Sequence, residues 1–300
     1  MATIVGAVMT SHIPAIGNAM SNGLQDDPYW APFFEGYERV RDWLASACPD
    51  VAVVIYNDHG LNFFLDNLPT FAVGAAPEYR VEDEGWGLPT FPPYRGIPEF
   101  SWHVIESLVD REFDIATCQE MRVDHAFVNP TRLLWPEHTP PPVATIPIHI
   151  NTVQHPLPKT SRCLAFGEAI GAAIASYEED LRVLIVGTGG LSHQLDGKRA
   201  GFINKDFDEM CMEKIVDDPE ALTALSIHDI VQLGGTQGTE IIMWLAARGA
   251  LGERVERIHG SYHIPISNTA AGLLVLESRS QEALWYAAGG SQAAKSADSR

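Results

Sequence analysis

Short apolar runs recur along the chain, and segments with helical periodicity lie between several of them. An apolar run of roughly four to eight residues bounded by polar or turn residues is typical of a strand that is buried on both faces. Six runs have this form: TIVGAVM (3–9), VAVVIY (51–56), TFAVGA (70–75), VATIPIHI (143–150), LRVLIVG (181–187) and AGLLVLE (271–277).

Three other segments place apolar residues three and four positions apart, as on one face of a helix: residues 33–47, 163–179 and 238–252. Strands that alternate with such helices predict an α/β fold. We expect a single domain with a central, largely parallel or mixed sheet flanked by helices.

Two segments, residues 76–101 and 126–160, are rich in Pro, Gly and aromatic residues. Loops of this length in a compact domain usually cover or line a site, so we expect them to lie over the active site. The catalytic domain is predicted to span residues 1–287. The small polar residues of 288–300 predict a flexible C-terminal tail.

Composition narrows the class of protein. The chain has 300 residues, of which 46% are hydrophobic and 20% charged, as in ordinary globular proteins. No apolar run approaches the roughly 18 residues of a membrane span, and the N-terminus lacks the basic segment of a signal peptide. Four cysteines without CxxC spacing are typical of isolated thiols in a reducing cytoplasm. The formal net charge of −19 disfavours nucleic acid as a partner.

Three of the eleven histidines follow predicted strands: His12, His59 and His193. In an open parallel sheet, ligands gather at the carboxyl ends of the strands. Taken alone, His12 is equally consistent with a turn residue before Pro14, and His59 with an imidazole in an Asx-type turn. Three such positions together favour a site.

The stretch GTGGLSH (187–193) is rich in glycine but lacks the lysine of a P-loop and the GxGxxG spacing of a dinucleotide site. Its glycines would equally let the backbone close around a pocket that carries His193.

Glu240 lies in the first turns of an otherwise apolar predicted helix. An acid at this position either compensates the helix dipole or turns inward as a ligand. Two imidazoles and one carboxylate form the set that non-haem Fe(II) oxygenases use. The same set holds Zn²⁺ in hydrolases, or a structural metal in a non-catalytic protein, and spacing alone does not choose between them.

Several segments together resemble a known family: TSHIPA, YNDH, VDHAFVNP, GTGGLSHQLDGKRAGFINKDFD, GTEIIMW and YHIPISNTAAG. In order and interval they are similar to the motifs of the type II extradiol ring-cleaving dioxygenases, the family of the protocatechuate 4,5-dioxygenase beta subunits. The resemblance runs from about residue 5 to about residue 276.

The resemblance implies roles by position. His12, His59 and Glu240 match the family's Fe(II) ligands, and His193 matches its catalytic base. His125 matches a second active-site histidine that contacts substrate or dioxygen. Without the resemblance, His125 would be read as a loop histidine hydrogen-bonded to a neighbour such as Asp124.

Three further residues are carried over to the substrate side of the site. Ser267 and Asn268 match positions near the ring substituent, although the same residues would also suit a turn before the last strand. Arg199 lies within a matching motif, and its role there is less defined.

The function that the resemblance implies is extradiol (meta) cleavage of a carboxylated catechol with Fe(II) and O₂. Protocatechuate, opened to 4-carboxy-2-hydroxymuconate semialdehyde, is the first expectation, and gallate or 3-O-methylgallate is the alternative within the family. A Zn-dependent hydrolase is the alternative from another class. The resemblance implies that the active site is partly closed either by a small alpha subunit or by a comparable segment fused to the C-terminus. Because a polar tail follows the motifs here, we expect a separate small alpha-type subunit, a homodimer, or a more open pocket.

Overall fold

The computed structural model describes residues 1–264 and 268–279, so Ser267 and the predicted tail 288–300 lie outside the described residues. The described chain forms an α/β domain. Its strands are β1 (Thr3–Thr10), β2 (Val51–Tyr56), β3 (Phe71–Gly74), β4 (Glu78–Val81), β5 (Tyr94–Arg95), β6 (Ala116–Cys118), β7 (Arg122–Val123), β8 (Ala144–Ile150), β9 (Arg182–Thr188), β10 (Val255–His263) and β11 (Ala271–Ser278).

The helices are α1 (Pro14–Ser21), α2 (Ala31–Ala47), α3 (Pro98–Asp110), α4 (His125–Leu134), α5 (Thr160–Ala175), α6 (Lys205–Asp217), α7 (Pro219–Thr223), α8 (Ile227–Gly234) and α9 (Ile241–Gly249). Single 3₁₀ turns cover Gly197–Arg199 and Gln237–Glu240. None of the helices in the described ranges is long and apolar enough to cross a membrane.

Eight strands form a mixed sheet in the order β10-β11-β1-β9-β2-β8-β3-β6. Strands β1, β9, β2 and β8 are parallel, whereas β11 runs antiparallel to β1 and β3 antiparallel to β8. In register, Thr10 pairs with Thr188 and Ile55 with Gly187. The carboxyl ends of β1, β9 and β2 therefore lie side by side at one edge of the sheet.

Strand β2 shows why its sequence is apolar throughout. Val53 and Ile55 pack into the core shared with α5 and α9, whereas Val54 and Tyr56 pack into the core shared with α2 and α4. All six of its residues are buried. Helices on both faces therefore leave no position for a polar side chain until the strand ends, and the expected single domain with a mixed sheet is confirmed.

The six predicted strands and three predicted helices are all present, with ends shifted by a few residues. Other elements were missed for identifiable reasons. Strand β10 at the sheet edge is half-exposed, so its sequence carries no apolar run. Helix α4 lies in a segment expected to be a loop, because Pro130 inside it would normally interrupt a helix.

Candidate active site

The carboxyl ends of three parallel strands, one 3₁₀ turn and the start of one helix together bring four imidazoles and one carboxylate to a single cavity. His12 follows β1, His59 follows β2, and His193 follows β9. Glu240 enters from the 3₁₀ turn that precedes α9, and His125 is the first residue of α4. All five line a cavity of about 770 Å³.

The nitrogen atoms of His12, His59 and His125 are close enough to share one ion, and Glu240 lies beside them. His12 Nε2 lies 3.5 Å from Glu240 Oε2, and both side chains are less than one-tenth exposed. The ring centroids of His12 and His59 are 5.4 Å apart, and the ring of His125 lies 4.4 Å from that of His59. One ligand nitrogen from each of these three histidines falls within 4.8 Å of the others.

All four imidazoles are held through Nδ1. The partners are Thr188 Oγ1 for His12 at 3.0 Å, Asp124 Oδ2 for His59 at 3.1 Å, the Leu191 carbonyl for His193 at 2.9 Å, and Glu84 Oε1 for His125. A carbonyl or carboxylate oxygen only accepts, so Nδ1 carries the hydrogen in the last three. In these three rings Nε2 carries a lone pair, the form that binds a metal or takes a proton, and that of His59 accepts from Asn57 Nδ2 at 3.2 Å. The Thr188 hydroxyl can donate or accept, so it does not fix the tautomer of His12.

The Glu240 carboxylate is ionised and fixed at both oxygens. Oε2 accepts from the Gly190 N–H at 2.8 Å, and Oε1 accepts from Asn57 Nδ2 at 3.4 Å. Burial by itself raises the pKa of this carboxyl, but the imidazoles of His12, His193 and His59 outweigh burial and hold its pKa well below the usual range. Of the two alternatives for Glu240, its carboxylate therefore adopts the one that turns inward.

The glycine-rich segment after β9 permits close packing against this carboxylate. Gly189 has a φ of +97°, and a Cβ there would lie 2.9 Å from Glu240 Cβ and 2.6 Å from Met243 Cε. Only glycine fits this position. The glycine at this position therefore lets the backbone pack closely against the site.

A family comparison agrees with this geometry. The family described as the catalytic LigB subunit of aromatic ring-opening dioxygenase matches residues 6–272. The chain belongs to the LigB family. The predicted resemblance to ring-cleaving dioxygenases is thereby confirmed at the level of the family.

Individual relatives differ in how much they share. A gallate dioxygenase from Pseudomonas putida is 41% identical over 201 residues, which cover 67% of this chain and 59% of that protein. A 2,3-dihydroxyphenylpropionate/2,3-dihydroxicinnamic acid 1,2-dioxygenase from Rhodococcus sp is 38% identical over 157 residues, covering 52% of this chain and 48% of that protein. The chain thus spans only about half to three-fifths of the length of these two relatives.

Two further matches extend over nearly the whole chain. A 2,3-dihydroxyphenylpropionate/2,3-dihydroxicinnamic acid 1,2-dioxygenase from Photorhabdus laumondii is 28% identical, covering 92% of this chain and 97% of that protein. The crystal structure of an uncharacterized protein from Escherichia coli K12 matches with a TM-score of 0.56 at 14% identity, covering 91% of this chain and 99% of that one. The latter supports the fold alone.

In this LigB-family chain, Asp124 links two of the site histidines. Its Oδ1 accepts from the Ala126 N–H at 2.8 Å and so caps α4, which begins with His125. Its Oδ2 accepts from both the backbone N–H of His59, at 2.8 Å, and the ring Nδ1. The acid beside His125 therefore orients His59, and His125 itself bonds to Glu84.

If His59 is a metal ligand, Asp124→Asn is expected to weaken metal binding while the helix cap persists. Asparagine is as good an N-cap as aspartate, but its neutral amide no longer favours the ring orientation and basicity of His59. Loss of such a ligand-orienting carboxylate typically costs roughly 10- to 100-fold in metal affinity. Anaerobic metal titration measures this change. An unchanged affinity, at an unchanged melting temperature, would contradict the role assigned to Asp124.

A second carboxylate, Asp208 on α6, supports the segment that carries His193. Its two oxygens accept from the Ser192 N–H at 2.7 Å and the Ser192 hydroxyl at 2.6 Å, and Tyr262 donates to it at 2.9 Å. Ser192 Oγ in turn accepts from the Asn204 N–H at 2.8 Å. Burial raises the pKa of Asp208 to about 6, although the hydrogen bonds from Ser192 act in the opposite direction and lower this pKa.

This raised pKa predicts a pH-dependent stability. Because the folded-state pKa lies above the unfolded value near 4, the stability that Asp208 contributes is fully present below about pH 4 and is lost as the pH rises through about 6. Between pH 4 and pH 7 the free energy of unfolding should fall by roughly 2–3 kcal/mol less in Asp208→Asn than in wild type. Urea unfolding at the two pH values measures this. Glu213→Gln, on the exposed side of α6, is the matched control; an identical pH dependence in wild type and Asp208→Asn would refute the assignment.

The two remaining described residues that the sequence predicted for the substrate side differ in their relation to the cavity. Asn268 lines the cavity. Arg199 does not: its guanidinium donates to the carbonyls of Val231 and Gln232 at 3.4 and 3.0 Å and stacks over Phe202. The structure thus places the Arg199 guanidinium against the C-terminal end of α8, where its partner Val231 lines the cavity, and the substrate-side role of Arg199 stays a prediction.

Several residues of the site were missed from the sequence. Thr188 and Asn57 directly continue predicted strands, so their positions at the sheet edge carried a usable signal. Glu84 and Trp86 lie in a Pro- and Gly-rich loop, and Gln237 lies in a 3₁₀ turn. No local pattern marks these three residues as part of the site.

Proposed function

We propose that this chain catalyses extradiol cleavage of a hydroxylated benzoate with Fe(II) and O₂. The observation that carries the proposal is the convergence of the His12 and His59 imidazoles with the ionised Glu240 carboxylate on one cavity wall, beside the Nε2 lone pair of His193. Membership in the LigB family supports the reaction class.

The residues present fit a divalent metal ion. Two imidazoles oriented through Nδ1 and one buried carboxylate form a 2-His-1-carboxylate set, and the described cavity lining contains no lysine or arginine that would otherwise neutralise Glu240. His12, His59 and Glu240 would hold the ion. When bound, Fe(II) supplies open coordination positions at which a catechol and dioxygen meet.

His193 would act as the base. Its Nδ1 donates to the Leu191 carbonyl, and its Nε2 lies 4.0 Å from Glu240 Oε2. Burial lowers the pKa of His193, although the Glu240 charge opposes this, so the ring is neutral at pH 7. Nε2 takes a phenolic proton from the bound catechol and later returns a proton as the ring opens.

The cavity offers neutral donors for a substrate carboxylate. Gln237 Oε1 accepts from the Leu195 N–H at 3.1 Å and from the Thr236 hydroxyl at 2.6 Å. With its oxygen bonded in this way, Gln237 has its NH₂ group left to donate to a ligand in the cavity that it lines. Asn268 lines the same cavity. Such groups recognise a carboxylate or an additional ring hydroxyl without a cation.

Gallate is the first substrate we propose, because the gallate dioxygenase relative shares 41% identity over two-thirds of this chain. Protocatechuate, which lacks one ring hydroxyl, is the competing substrate. Ring cleavage of gallate, protocatechuate, 3-O-methylgallate and 2,3-dihydroxyphenylpropionate should be compared by kcat/KM on one Fe(II)-loaded preparation. Preference for a benzoate supports the proposal, and a preference for dihydroxyphenylpropionate would contradict the substrate class.

A covering partner is also part of the proposal. Exposed apolar side chains, Trp86, Val153 and Leu195, stand among the cavity-lining residues. A small alpha-type subunit or a second copy of this chain would shield them from water. Light scattering combined with turnover tests this point: a monomeric lone chain with full activity would contradict it.

A further inference from the structure

Glu84 is a buried carboxylate carried by an exposed loop. Asp83, Gly85 and Trp86 are exposed, yet only 3% of the Glu84 side chain is accessible. The loop turns because Asp83 Oδ1 accepts hydrogen bonds from the three backbone N–H groups of residues 86–88. This Asx-type turn allows Glu84 to face the interior.

The Glu84 carboxylate contacts the His125 ring. Its Oε1 accepts from His125 Nδ1, and both side chains are nearly inaccessible. The other side of the His125 ring faces the ligand histidines, with ring centroids 5.4 Å from His12 and 4.4 Å from His59. Because a carboxylate only accepts, this bond places the hydrogen of a neutral His125 on Nδ1 and leaves Nε2 as a lone pair.

Closing the loop does not by itself require a charge. Burying a carboxylate costs several kcal/mol unless it is well paired, and Glu84 Oε2 is buried without a partner among the described residues. A neutral side chain of similar size would close the loop without this cost. The carboxyl group at this position therefore points to the histidine that it contacts.

We propose that Glu84 is a positioning residue that fixes the ring orientation and the tautomer of His125, so that Nε2 is presented to the bound substrate and dioxygen. The role rests on the proposed function. It adds to the site a residue from a loop that is distant in sequence from the strand ends and that acts through His125.

The first test is a double-mutant cycle on the full-length, Fe(II)-loaded chain. Glu84→Ala should lower kcat by roughly 10- to 100-fold, the range typical for residues that orient a functional imidazole, with little change in KM or metal content. In a His125→Ala background the same substitution should have no further effect on kcat. Glu82→Gln is the matched control, because it removes an exposed carboxylate of the same loop that pairs with Arg122.

The second test reads the tautomer directly and needs no turnover. In ¹⁵N-histidine-labelled, metal-free chain at a pH where imidazole is neutral, long-range ¹H–¹⁵N spectra report which ring nitrogen carries the hydrogen. The His125 signals are identified by their loss in His125→Ala. Wild type should show the Nδ1–H form, and Glu84→Ala should show a mixture of the two forms. Glu84→Gln repeats the measurement should Glu84→Ala not fold.

The outcomes separate the two proposals. An Nδ1–H form that persists in both Glu84 variants, or a drop in kcat that is as large in the His125→Ala background as in wild type, would overturn the role of Glu84. A chain that cleaves none of the catechols while the tautomer still changes would refute the proposed function and leave the Glu84–His125 pairing intact.

Discussion

Glu240→Gln is expected to abolish ring cleavage and to strip the chain of metal. The substitution keeps the shape of the side chain and its hydrogen bond from the Gly190 N–H, but it removes the only carboxylate among the three proposed ligands. A bound metal contributes several kcal/mol of transition-state stabilisation. Since each 1.36 kcal/mol is a tenfold change in rate, kcat/KM should fall on the order of 10³-fold or more.

The measurement pairs turnover with metal analysis of the same sample. Glu253→Gln, which neutralises an exposed glutamate shortly after α9, should retain wild-type activity and metal content. A Glu240→Gln chain that keeps its metal and more than a tenth of wild-type kcat/KM would show that this carboxylate is no ligand.

His193→Ala is expected to lose turnover while metal binding is retained. The bare Nε2 of His193 is the proposed proton acceptor, and general acid–base catalysis typically contributes roughly 10²- to 10⁴-fold to a rate. Because His193 is held through the Leu191 carbonyl and the Gly234 carbonyl, its removal leaves the three ligand side chains in place. Anaerobic metal titration and kcat are measured together.

The contrast with Glu240→Gln is the informative part. His138→Ala, at an exposed histidine remote from the cavity, serves as the control. If His193→Ala loses metal and activity in the same proportion, His193 supports the metal site rather than the proton transfer. A kcat equal to that of wild type would remove it from the mechanism altogether.

The sequence predicted those parts of the site that are tied to buried strands. Strand β2 ends where its two buried faces end, so Asn57, Asp58 and His59 are necessarily the first polar residues at the sheet edge. Asp58 then accepts from the backbone N–H groups of residues 60–63 and so forms the turn that carries the chain away from the strand. Parallel register between β1, β9 and β2 explains why His12 and His59 meet.

Residues that reach the site from elsewhere could not be predicted in this way. Glu84 and Asp124 act through hydrogen bonds across long sequence separations, and no periodicity marks such contacts. Arg199 lies inside a matching motif, but the bonds of its guanidinium to carbonyls at the end of α8 also span long sequence separations and carry no local signal.

The most direct test of the central claim is the stoichiometry of oxygen uptake. The metal-free chain should be loaded anaerobically with one equivalent of Fe(II) or, in parallel, Zn²⁺, and given gallate or protocatechuate before oxygen is admitted. We predict one O₂ consumed for each ring opened with Fe(II), and no turnover with Zn²⁺. Substrate loss with Zn²⁺ and no demand for O₂ would contradict the account and assign these ligands to a hydrolase.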